Sequence, residues 1–224
     1  MSFWSQAREI ARADLTVERR AGETLRIVLP FAVAALIVFP LALDLRLELV
    51  SEIGVGIFWA LSILFGMQVA LRQTANDSPE LRDLHALAGV DPTARFTGRV
   101  VSGSALMTAF MIVLLIAMVI FFDPEVPEGG WPLLFLSLVL VAIGLTELGT
   151  LAGEVTAGLR SRSALASLIV APLSLPLVIG ATEAVGALQR DTGILPWILL
   201  LIATDLALAV AGVALAKPLE EATR

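Results

Sequence analysis

Six long apolar runs constrain this chain more than any other feature. They lie at about 26–43, 53–71, 100–122, 132–157, 163–187 and 195–216. A helix of roughly 20 apolar residues crosses about 30 Å of hydrocarbon. The runs therefore predict an all-α polytopic membrane protein with six transmembrane helices. Composition agrees, at 58% hydrophobic and 16% charged residues, where soluble domains are nearer 45–50% and about 25%. The fourth and fifth runs are long enough to tilt or to extend past the bilayer. The chain reads as one transmembrane domain over residues 1–224, with an interfacial segment at 1–25, a six-helix bundle at 26–216 and a tail at 217–224.

An even number of spans puts both termini on one side, and the basic residues choose that side. Thirteen of the fifteen basic residues fall on the N-terminal segment, the loops after the second and fourth runs, and the C-terminus. Only Arg46 and Arg190 fall on the other side. Positive residues are retained in the cytoplasm, so both termini are expected there, in a multi-pass membrane protein. Arg160 and Arg162 then hold the fourth and fifth spans at the inner surface. The outer loops are short and acidic, with Asp44, Glu125 and Asp191 among their residues, and Trp131 and Trp197 lie near the outer interface. The opening segment, MSFWSQAREIARADLTVERR, is too polar for the core of a signal peptide. A net charge of -6 without a basic stripe argues against nucleic acid. The absence of cysteine excludes disulfides and thiolate chemistry.

Two segments on the cytoplasmic side are amphipathic. Phe3, Trp4, Ala7, Ile10, Ala11 and Leu15 recur at near-helical spacing between charges, which predicts a helix lying on the inner leaflet. In the loop at 72–99, Ser78-Pro79-Glu80 is a helix start. Leu81, Leu84, His85, Leu87 and Ala88 form an apolar stripe, and Gly89 supplies a stop. Such a helix needs either the membrane surface or a soluble partner to cover it.

Within the runs, three acids and two prolines need explaining. Asp205 is close to the middle of the sixth run, Glu147 is mid-fourth, and Glu154 follows seven residues later on the same face. A carboxylate charge in hydrocarbon costs roughly 2.5–3.5 kcal/mol on insertion scales. No basic residue stands beside them within the spans. A polar path or mechanical network and a protonated group satisfied by neighbouring hydroxyls or backbone both remain open. Pro172 and Pro176 stand four apart in the fifth run. Each lacks a backbone donor and crowds the preceding turn, so they predict a kink, either static or at a moving interface. Glu183 reads as a solvated helix end, and His85 as a packed or interface histidine. Met107, Met111 and Met118 fall at helical spacing on the third run and read as packing. No GxxxxGK[ST] or HExxH motif occurs, so neither an internal ATPase nor a zinc protease is supported.

The order of several weaker motifs resembles a known family. Asp14-Leu15, Glu18 and Arg20 resemble a DLxxExR pattern, and Gly56-Ile57-Phe58-Trp59 a GxxW pattern. Arg72, Glu80, Leu84, Leu87, Pro92 and Gly98 resemble that family's cytoplasmic loop, with Arg99 in place of its lysine. Gly149-Thr150-Leu151, Leu159-Arg160-Ser161-Arg162, Pro172 and Pro176 resemble its G-T-L, L-R-x-R and P-x-x-x-P. The chain thus resembles the haem exporter protein B (CcmB) family, membrane permease subunits of the cytochrome c maturation ABC transporter. The resemblance implies that the loop around Glu80, Leu81, Leu84, His85, Leu87, Pro92 and Arg95 docks on an ATP-binding cassette subunit. It implies a homodimeric permease that binds no cofactor itself, with ATP and haem on partner chains. Those partners would be a haem-handling membrane subunit, a small membrane subunit and a haem chaperone. A lipid or small-molecule exporter of the same broad class is the alternative.

Overall fold

The computed structural model describes residues 2–42, 47–75, 79–124, 126–156, 162–190 and 192–222. Ser78, Arg160, Asp44, Arg46, Glu125 and Asp191, all singled out above, lie outside them, as do the side chains of Glu80 and Arg162. Every regular element among the described residues is a helix: α1 (Phe3–Ala21), α2 (Glu23–Ala42), α3 (Leu47–Ala75), α4 (Pro79–Leu87), α5 (Pro92–Phe122), α6 (Gly130–Val155), α7 (Arg162–Leu173), α8 (Leu175–Gln189) and α9 (Leu195–Ala222).

Five segments are long and apolar enough to cross a membrane, namely Ile53–Arg72, Pro92–Phe122, Gly130–Val155, Leu165–Leu188 and Leu195–Glu221. The first expected span is described as an apolar helix over Arg26–Ala42, within the 20-residue α2. The third span differs from its expected bounds. α5 begins at Pro92 rather than near residue 100, because Asp91 caps it and Pro92 fits its first turn. The polar residues 92–99, read above as loop, are therefore helical.

α6 is the centre of the bundle and packs against α3, α5, α7, α8 and α9. Phe58, Trp59, Met107, Phe110, Met111, Met118, Leu138 and Leu145 are fully buried in the core. The three methionines of the third span are thus packing residues, and the Met107 sulfur lies against Gly66 of α3. α9 is the least enclosed span, with 17% of its apolar window buried. It turns Leu199, Leu206 and Val210 outward, the surface a helix presents to lipid.

α1 extends beyond the apolar periodicity of residues 3–15, to Ala21. Ser2 caps it, and Gly22 ends it in the left-handed conformation with its N–H donating to the Glu18 carbonyl. It packs lengthwise on α5, burying Ala7 and Ala11. Gly98 makes this approach achievable, since a Cβ there would lie 2.6 Å from the Ala7 carbonyl oxygen. The Asp91 backbone N–H donates to Gln6 Oε1 at 2.9 Å, and Ser102 Oγ donates to Asp14 Oδ2 at 3.2 Å. The apolar stripe of α1 is therefore covered at least partly by protein, while Trp4 stays 73% exposed.

Candidate functional site

The N-terminal end of α5 gathers charges that are far apart in sequence. Arg95 is 3% exposed. Its guanidinium donates to both oxygens of Glu154 on α6, at 3.3 and 3.4 Å, and pairs with Glu220 of α9 at 3.7 Å. This overturns two expectations. Glu154 does have a basic partner, and Arg95 points into the bundle rather than standing on the loop surface. Charge pairing across three helices makes the burial of an arginine tolerable there. Next to it the Phe96 ring fills the space over Gly212 of α9, which a Cβ would occupy. Asp91 also reaches Lys217 of α9 at 3.9 Å. The Thr93 hydroxyl, donating to Asp91 Oδ1 at 2.7 Å, holds that carboxyl below the usual carboxylate range, opposed by partial burial.

One helical turn away, a cavity of about 150 Å³ lies between α1, α4, α5 and α6. Asp14 and Glu18 of α1, Leu81 of α4, Arg99 and Ser102 of α5, and Thr150 of α6 are among the residues that line it. Residues from three separate motif segments, on four helices, thus meet at one place. Their convergence is tertiary, since local spacing carries no information about which motifs share a cavity.

α4 is the most exposed apolar element on this side. Gly89, at φ +68°, closes it as expected, and the Val90 N–H donates to the His85 carbonyl. Leu81, Leu84 and Leu87 stand at i, i+3 and i+6 with exposures of 38%, 61% and 86%. His85 is half-buried, and Pro92 belongs to α5 rather than to this surface.

The fifth span is broken. α7 ends at Leu173 and α8 starts at Leu175, with Ser174 between them. Pro176 has no N–H to give the Pro172 carbonyl, and Pro172 none to give the Leu168 carbonyl, so two successive rungs are missing. Ser174 itself keeps helical dihedrals: its N–H donates to the Val170 carbonyl at 2.9 Å, its carbonyl accepts from the Val178 N–H at 3.0 Å, and its hydroxyl donates to the Ala171 carbonyl at 2.8 Å. Regular helix lapses at this one residue, within an apolar segment that runs from Leu165 to Leu188. At the other end of the span, Glu183 pairs with Arg190, both partly exposed.

Just inside the break, Leu177 packs on Gly144 of α6, and Asp205 Oδ1 lies over the same glycine, 2.6 Å from where its Cβ would be. Glu147 is one turn further along α6 and within electrostatic reach of Asp205. Both acids are more than nine-tenths buried. Among the described residues no set of three histidine, cysteine or acidic side chains is placed to hold a metal ion.

Comparison with known proteins sets these features in context. No curated protein matches the chain. The model of the CcmB protein family matches residues 5–222, a range that holds the whole bundle, the α1–α5 crossing, the Arg95 cluster and the broken fifth span. Matched over nearly its full length, the chain belongs to the CcmB protein family, whose members are ABC-transporter permease subunits of cytochrome c biogenesis and haem export rather than catalytic proteins.

Proposed function

We propose that this permease couples ATP hydrolysis on a separate ATP-binding subunit to release of the haem-loaded chaperone at the outer membrane surface. The observation that carries the coupling reading is the row Leu81, Leu84 and Leu87, unusually exposed for leucines outside the spans. The ATP-binding subunit covers that row. Leu81 also lines the cavity shared with α1, α5 and α6, so displacement of α4 is passed to the bundle there. Arg95 acts one step inward, fastening α5 to α6 and α9 instead of touching the partner. Arg160 and Arg162 anchor the inner surface. Glu80 joins the docking face, with His85 beside it. The broken fifth span, at Pro172 and Pro176, is the element that moves.

In this proposal α2 is the first crossing, which gives six spans with both termini in the cytoplasm. Thirteen of fifteen basic residues on one side support that orientation. Two copies pair with two ATP-binding subunits and with the haem-handling membrane subunit, a small membrane subunit and the chaperone. ATP and haem are held by those partners, in a bacterial inner membrane.

Two experiments test it. Deleting the gene should abolish covalent haem on periplasmic c-type cytochromes while haem-loaded chaperone persists. Unchanged cytochromes, without a second gene copy, would reject the role. The double substitution L84D/L87D should abolish co-purification of the ATP-binding subunit and leave the permease's thermal midpoint within a few degrees. Retained co-purification would remove α4 from the docking site.

A further inference from the structure

We propose that Glu147 and Asp205 form a proton-binding site in the seam between α6 and α9. Two independent observations carry it. The first is placement: the two carboxylates come from different helices, 4% and 8% exposed and within electrostatic reach of each other, with Asp205 lying over Gly144, one turn from Glu147. A side chain at 144 would displace Asp205, so the absence of a Cβ makes room for it. The second is that three of their four oxygens are unpartnered. Both Asp205 oxygens and Glu147 Oε2 are buried without a hydrogen-bond partner.

Among the described residues the surroundings supply no compensating cation. Between Leu195 and Ala216 of α9, Asp205 is the sole titratable residue, as Glu147 is between Gly130 and Gly153 of α6. The facing stretches 53–71 of α3, 100–122 of α5, 165–173 of α7 and 175–182 of α8 carry none. The charged groups of these helices stand at their ends. Arg72 ends the α3 span, while Arg95, Arg99, Glu154, Lys217 and Glu220 gather at the cytoplasmic side. Glu183 with Arg190 lies at the far end of α8. Neighbouring hydroxyls are committed elsewhere, Thr146 to the Ala142 carbonyl and Thr150 to the Thr146 carbonyl.

Two ionised carboxylates in that setting would repel each other and face hydrocarbon without solvation. A bound proton removes one charge and turns one acceptor-only group into a donor for the other. The ligand is thus a proton, and the occupied pair links α6 to α9 beside the broken span. Emptying the site would charge the seam and draw water into it.

Infrared spectroscopy of the full-length protein in lipid nanodiscs tests this directly. At mildly acidic pH the wild type should show the carbonyl stretch of a neutral carboxylic acid, shifted in heavy water. E147Q/D205N should lose that band, and each single variant should alter it. Absence of the band in the wild type, or its full retention in the double variant, overturns the proposal.

A second measurement needs no variant. The apolar reagent dicyclohexylcarbodiimide is an electrophile that protonated carboxyls activate and then attack. The acid proton moves to a reagent nitrogen, a carboxyl oxygen bonds to the central carbon, and the adduct rearranges to a stable N-acylurea. Mass spectrometry of labelled wild type should place the adduct on Glu147 or Asp205, with its yield lost toward alkaline pH. Adducts confined to other carboxylates overturn the assignment.

Discussion

Replacing Arg95 with alanine removes a guanidinium that joins α5 to α6 and α9. At 3.3 Å from Glu154 and an effective dielectric near 20, the direct attraction is about 5 kcal/mol, and the Glu220 contact at 3.7 Å is about as large. Desolvation offsets much of that gain in the wild type. Removing one partner does not reverse the desolvation, because Glu154 and Glu220 stay 7% and 12% exposed at the side chain. Breaking a buried pair this way costs about 3–5 kcal/mol. R95A is therefore expected to lower unfolding free energy by about that amount, and E154A by a similar one. R95M/E154M should recover most of the loss, since apolar groups of like volume carry no desolvation debt. Chemical unfolding of the purified protein in detergent, run as a double-mutant cycle, measures the coupling. Additive losses below about 1 kcal/mol each would refute the claim that the cluster fastens the three helices, because a solvated pair behaves that way.

Other tests follow from single contacts. G98V should drive α1 off α5, since backbone rather than a flexible side chain blocks its Cβ; overpacking of this kind costs about 1–3 kcal/mol, and proteolysis of the N-terminal segment would report it. D91A should cost about 0.5–2 kcal/mol through the lost α5 cap. Because the folded-state Asp91 carboxyl is lowered, its contribution is complete above the ordinary carboxylate range and is lost as pH falls through the lower folded value. D91N should flatten that part of an acid titration of stability. P172A/P176A should rebuild the missing rungs and leave assembly intact, while ATP hydrolysis no longer releases the chaperone. Normal release in that variant would make the break a static packing feature.

The sequence by itself determined the helical class and the long apolar segments. Apolar runs specify burial locally, Gly89 supplies a left-handed stop, and Pro172 with Pro176 remove hydrogen bonds whatever surrounds them. Asp91-Pro92 was equally legible as a helix start, but the polarity of residues 92–99 disguised it. Hydropathy reads Arg95 as solvated, and only a partner 59 residues away makes its burial affordable. Tertiary structure alone decided that α1 rests on α5, that residues from three motif segments line one cavity, and that Asp205 sits over Gly144 near Glu147. Those are choices of which helix faces meet, set by packing between segments distant in the chain, and no local pattern carries them.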